Sequence, residues 1–393
     1  MIIRYFLFAV AALLTQQAHS QYTVIRNFGT IGDGISPTTG LTLSSGMLYG
    51  VTGVAGTFGY GTVFRLGTDG SDYTVLHNFD GSGAVYPGST LTLSGTTLFG
   101  TAGGLDNGFM SVIDGGVFSL SIDGSNFSTL TRYPAGGPAN PVAFDSNTLY
   151  GTTWRGGSGN LGTAFKIQAD GSGYALLHEF DGPGSFFPNG MTLAGSSLYG
   201  TLAAGGVNDG GAIFRMGLDG TGYTVLKQFT GDDGRLPSAT LTLVDTVLYG
   251  TTTLGGTFNH GTVFKVSTDG TGYTILKSFT GDDGDSPYGG LVLTGSTIYG
   301  TTQGGGSSDS GVLFQIATDG SDYTVLKEFA GVDGRYPLGD LLLADQVLYG
   351  TTRQGGSTGY GTAFSYTIVP EPCSAIALLL GGAPLLLRRP LRT

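Results

Sequence analysis

The chain has 393 residues, of which 73 are glycine and 11% are charged, with a formal net charge of −11. Its 20 Tyr, 23 Phe and 40% hydrophobic content exclude a disordered chain, and the glycines lack the strict period of a collagen. Glycine among aromatic and β-branched residues implies short strands with tight turns. The acidic balance disfavours nucleic acid and anionic membranes as partners.

In chain order, the first segment reads as an address. Residues 1–20 carry Arg4, an apolar run Tyr5–Leu14 and a small-residue exit at Ala18-His19-Ser20. That order predicts a secretory signal peptide cleaved before Gln21, the alternative being a buried terminal element. From Gln21 to Ile368, 13 basic residues stand against 27 acidic ones, a formal charge of −14. The single cysteine, Cys373, falls beyond this body, which therefore has neither a disulfide nor a thiolate metal site.

An apolar-aromatic-glycine signature then recurs, with glycine at positions 50, 100, 151, 200, 250, 300 and 350. Seven copies about 50 residues apart call for one supersecondary unit per copy. The unit at Thr240 predicts strands at Leu241–Leu243, Val247–Thr252, Thr262–Val266 and Tyr273–Phe279. An Asp269-Gly270 turn stands before the last of these. Four antiparallel strands in such a length make a propeller blade. The last copy stops after Thr362–Tyr366, and its missing fourth strand matches Tyr22–Phe28 at the other end of the chain. A ring explains that split, because pairing the first strand with the last blade hides two edges. The expected fold is thus an all-β, seven-bladed propeller over residues 21–368, a capped open solenoid being the alternative.

The repeat, with Leu248-Tyr249-Gly250-Thr251-Thr252, Gly255-Gly256, Gly261-Thr262-Val263-Phe264, Asp269-Gly270 and a closing Phe279, resembles the GloVer tandem repeat of bacterial exported proteins. The resemblance implies a surface or secreted repeat protein and brings no established reaction. The glycine pair is also similar to that of kelch blades. Residues 369–393 resemble a PEP-CTERM sorting signal: Val369-Pro370-Glu371-Pro372, an apolar stretch Ala375–Leu387, then Arg388, Arg389 and Arg392. That likeness implies an exosortase-type processing partner, transient inner-membrane association and release at the surface of a Gram-negative type envelope. The basic end follows the positive-inside bias, and the apolar stretch is short for a lasting span. A disordered hydrophobic terminus is the alternative.

Comparison of the repeats sifts the candidates for chemistry. His77 and His178 occupy the position held by Arg26, Lys227, Lys277 and Lys327 elsewhere, which predicts a solvent-facing slot. With His260, they form no metal cluster and no nucleophile-base pair by spacing. No catalytic residue, metal or cofactor is expected. The loops Asp33-Gly34, Asp233-Gly234, Asp283-Gly284 and Asp333-Gly334 each lead to a proline three residues on. Their carboxylates suit either calcium or a repeated structural turn, and the turn is the expectation. The Asp-Gly turns at Asp69, Asp123, Asp170, Asp219, Asp269 and Asp319 sit where sialidase Asp-boxes do, without that motif's spacing.

The loop between the second and third strands varies most among copies. It carries Tyr60, the insertion Leu105–Asp114, Trp154 with Arg155, His260, Arg353 and Tyr360, and it shares a face with the blade-to-blade loops. Exposed aromatics with an arginine there engage sugars or peptides, so these residues are the candidate binding set. The inner strands look alike from copy to copy, as Leu91-Thr92-Leu93 and Leu241-Thr242-Leu243 do. Sequence therefore favours a non-catalytic surface or matrix module associated with exopolysaccharide or the cell envelope. A secreted glycan lyase or hydrolase is the rival.

Overall fold

The structure, a computed structural model, describes residues 22–30, 32–82, 85–103, 115–133, 137, 140–181 and 186–368. The leader at 1–20, the tail at 369–393 and the insertion at 105–114 lie outside the described residues. Seven four-stranded antiparallel sheets follow one another, so the fold is the expected seven-bladed β-propeller. Blade 5 shows the plan: Thr242–Val244 innermost, then Val247–Thr252, Thr262–Ser267 and, at the rim, Thr274–Ser278. In the last blade the order is Tyr22–Asn27, Thr362–Thr367, Val347–Thr352 and Leu342–Ala344, with Tyr22 opposite Tyr366. The strand shared between the chain's two ends closes the ring.

A blade is apolar on both faces and cannot bury either one alone. Each hydrophobic cluster accordingly spans two neighbouring blades, including the closing pair, where Phe28 and Ala363 pack with Leu48, Phe64 and Leu66. Within a blade, the glycine of the Tyr-Gly signature lies under the third-strand phenylalanine. A Cβ on Gly50 would stand 2.6 Å from Phe64 Cζ. The third and fourth strands slip register at the same point in every blade, leaving one unpaired residue on the outer strand. Such a bulge sharpens the twist, and its carbonyl meets the next blade's Asp-Gly turn: a Cβ on Gly320 would come 3.0 Å from the Leu276 oxygen.

The opposite face is tied by proline. Gly361, with φ of +104°, lies beneath the ring of Pro37 in the following blade, and a Cβ there would sit 2.8 Å from Pro37 Cδ. The residue before that proline, Ser36, donates its N–H to the Tyr360 carbonyl at 2.9 Å and accepts from Gly53. Ser36, Tyr86, Phe187, Leu236, Ser286 and Tyr336 all hold φ near +55° at this station. Left-handed backbone is unfavourable for such side chains, and the two hydrogen bonds to adjacent blades hold it in place.

The acidic loops are the structural turns that sequence favoured. Asp233 pairs with Lys227 and accepts the Thr230 N–H at 2.8 Å, while its carbonyl takes the Tyr273 hydroxyl at 2.5 Å. Asp283 and Asp333 repeat the arrangement, and Arg26 meets Asp33 at 2.5 Å. Their carboxylates are thus spent on lysine, arginine and backbone. Among the described residues no group of His, Cys, Asp or Glu is placed to hold a metal ion.

If the shared blade closes the ring, Phe28 matters as much as its counterparts inside the array. Phe28→Ala and Phe329→Ala, both fully buried, should each lower unfolding free energy by about 3–5 kcal/mol in urea titrations. A near-neutral Phe28→Ala beside a damaging Phe329→Ala would mean an open array.

Candidate functional site

The loops between second and third strands and those between blades do share one face, and at its centre lies a cavity of about 350 Å³. Two stations of each repeat build it. One follows the Gly-Thr-Thr end of the second strand and holds Trp154, Gln303 or Arg353. The other is the short link from the proline to the innermost strand, which contributes Thr90, Asn140, Asn189, Tyr288 and Asp340 among others. Glycine, alanine and threonine fill the first station in other blades (Gly53, Ala203, Thr253), so the large side chains are departures from the repeat.

The floor is a hydrogen-bonded closure. Asp340, entering blade 7, accepts the Gly290 N–H of blade 6 at 2.6 Å and the Thr90 hydroxyl of blade 2 at 3.1 Å. Thr90 in turn accepts the Gly40 N–H of blade 1 at 3.0 Å. Glycine at 290 permits the approach, because a Cβ there would stand 2.7 Å from the carboxylate. On another side Asn189 is buried, its amide donating to Thr201 at 3.1 Å and to the Pro237 carbonyl at 2.6 Å. The mouth of the ring is therefore a bowl with a polar floor.

Aromatic rings stand on two sides of that bowl. Trp154, 41% exposed, leans on Phe187 with centroids 5.7 Å apart. Across from it Tyr288, 40% exposed, shares the rim with Arg353, whose charge partly offsets the rise that desolvation imposes on the phenol's pKa. Asp340 and Arg353 are the charged side chains of the described lining.

The sequence-derived candidates divide on this map. Trp154 and Arg353 line the bowl. Arg155 is exposed beside Trp154 but does not line it. Tyr60, His260 and Tyr360 occupy one repeat position further out, at the seams between blades. Tyr60 packs edge-on against Tyr86, His260 Nδ1 lies 3.2 Å from Asp285, and Tyr360 covers Gly29. Tyr288, Asn140, Asn189 and Asp340, in the links into the inner strands, and Gln303, after the second strand, are outside the sequence-derived set. For Asp340 the signal was legible: positions 40, 90, 240, 290 and 340 precede the same strand leucine and read Gly, Thr, Thr, Gly, Asp. The inner strands repeat as expected; the entrance above them does not.

The histidine slot is not a solvent-facing one. His77 is half-buried and stacks on Phe127 of the next blade, centroids 3.6 Å apart, and His178 stacks on Tyr223 at 4.0 Å. Where the slot holds a cation, the same ring receives it: Arg26 lies 3.8 Å over Tyr73 and Lys277 4.3 Å over Tyr323. Lys327 lies 5.2 Å over Tyr22, which the first strand contributes to blade 7. What all these side chains share is a flat or cationic group able to lie on an aromatic face.

Matches to the Gloeobacter/Verrucomicrobia repeat run over residues 13–195 and 187–372, most of the chain. The chain belongs to this repeat family. No curated protein matches it. Among solved structures, a Gloeobacter/Verrucomicrobia-repeat ring of this kind is similar to an oligogalacturonate lyase in complex with manganese. The TM-score is 0.57 at 12% identity, covering 89% of this chain and 93% of that one. The oligogalacturonate lyase of Vibrio parahaemolyticus gives 0.56 at 10% identity, with 90% and 95% covered. The Niastella koreensis GH74 enzyme gives 0.58 at 15% identity; 85% of this chain aligns with about half, 53%, of that one. At these identities the likeness is one of fold.

Burial holds both stacked imidazoles below the ordinary histidine pKa, so folding favours their neutral form. That contribution is complete above the unfolded value of about 6.5 and is lost as pH falls through the lowered folded values. The melting temperature should therefore drop as pH falls below about 6.5, and His77→Gln/His178→Gln should flatten that drop. Parallel curves for the two proteins would show that the stacks tolerate protonation.

Proposed function

We propose that this protein is an exported, non-catalytic binding module of the cell surface or extracellular matrix, which engages extracellular polysaccharide through the bowl. The observation that carries this reading is the concentration of difference. Seven near-identical blades place the chain's one tryptophan, an arginine, a tyrosine and a carboxylate around a single concavity. A rigid scaffold with variable entrance loops is the usual arrangement for recognition. A saccharide offers what such a bowl can bind: an apolar ring face for Trp154 and hydroxyls for the polar floor.

The terminal segments supply the address in this reading. Residues 1–20 direct export, and Val369-Pro370-Glu371-Pro372 with Arg388 and Arg389 engages an exosortase-type enzyme that releases the protein from the inner membrane. A mature N-terminus other than Gln21, together with an intact tail on secreted protein, would contradict that part.

The purified protein should bind polysaccharides from a bacterial extracellular matrix preparation in a retention assay, and Trp154→Ala should weaken retention at least about tenfold. The same fractions, followed for chain shortening and unsaturated products, test the enzymatic rival. Cleavage dependent on Asp340 would replace binding with catalysis.

A further inference from the structure

We infer that the bowl takes the end, or a short branch, of an uncharged saccharide chain, with Trp154 as stacking platform and Asp340 as the acceptor for ring hydroxyls. This rests on the reading of the bowl as a glycan site and adds which glycan, and which part of it, fits.

Two features favour a chain end over a threaded chain. The Asp340–Thr90 bond joins blades 7 and 2 across blade 1, and Gly40 and Gly290 close in beside it, so the floor is drawn together along the blades 6, 7, 1 and 2. Its volume of about 350 Å³ lies at the low end of ligand pockets, which run from about 300 to 1,000 Å³. A terminal sugar entering from the open side meets Trp154 on one flank, Tyr288 and Arg353 on the other, and Asp340 below.

Charge argues for an uncharged ligand. The lining balances Asp340 against Arg353, whereas the body carries −14 and repels polyanions at long range. A carboxylate in the floor would also stand against an acidic sugar. The Asp340 carboxylate can accept about four hydrogen bonds, and Gly290 and Thr90 supply two of them. The remaining capacity suits the neighbouring hydroxyls of a neutral sugar, which donate as a pair. Arg353 and Gln303 at the rim supply donors to ring and glycosidic oxygens.

Because Trp154 is the sole tryptophan, emission from the purified protein reports the bowl directly. Linear neutral hexasaccharides (malto-, cello- and manno-) and hexagalacturonate are titrated against the wild type, Asp340→Asn and the rim variant Arg353→Gln. Cyclic glucan serves as the ligand without ends. A shift in emission with at least one linear neutral probe is expected, with none from cyclic glucan, and Asp340→Asn should weaken binding at least tenfold. Arg353→Gln, which leaves the floor intact, should cost only a few-fold. If hexagalacturonate alone shifts the emission, or if Asp340→Asn strengthens binding while Arg353→Gln abolishes it, the ligand is anionic; the neutral-sugar inference then falls and the glycan-site reading stands. Equal binding of the cyclic glucan overturns recognition of ends. Silence from every probe, in a protein whose far-UV spectrum and melting are normal, overturns the glycan-site reading itself.

Discussion

Everything in this ring depends on blades approaching more closely than ordinary side chains allow. On one face a proline ring enters the space left by a missing Cβ, and on the other a bulge carbonyl does the same. Both contacts lie between blades and not within them, which makes each blade's geometry a condition of its neighbour's. Hydrophobic burial supplies the driving force, but it is non-directional. The glycine contacts, the aromatic faces covered by Arg26, Lys277 or His77, and the paired hydrogen bonds at Ser36 set the angle. With the angle set at seam after seam, closure through Tyr22–Asn27 follows.

The same economy explains why the molecule has one distinguished place. Around the rim and through the walls, position after position is bound by the needs of a neighbour. At the entrance, the station after Gly-Thr-Thr faces the bowl, and Trp154 there is 41% exposed, while the link after proline forms the floor and turns only some of its side chains, Tyr288 among them, to the opening. Trp154, Tyr288, Arg353 and Asp340 occur where the scaffold tolerates them, and they converge because a ring brings equivalent stations together.

Much of this architecture was legible in the sequence because a repeat makes its own controls. Copies of Tyr-Gly, Asp-Gly and Gly-Thr-Val-Phe mark strands and turns, and the displaced copy at Tyr22–Phe28 reveals closure. Less legible was anything decided between copies. His77 looked solvent-facing because Arg and Lys share its slot, yet the common factor is a ring in the next blade, at Phe127, which no comparison of aligned positions displays. The binding candidates suffered similarly. Tyr60, His260 and Tyr360 vary as Trp154 does, but a few residues along the loop carry them from the central mouth to a seam. Variation located the face; only curvature of the ring located the bowl.

The shared blade has one further consequence. Ile368 donates to Gln346, in the turn between the two innermost strands of blade 7, and Tyr22 lies opposite Tyr366 near the same turn. The two ends of the body therefore emerge side by side, on the side of the ring turned away from Asp340 and Trp154. Tyr22 and Ile368 are thus attachment points at the back of the disc. A leash, a cleavage event or a fused partner attached there leaves the front free, and a leash held at a surface turns that front outward.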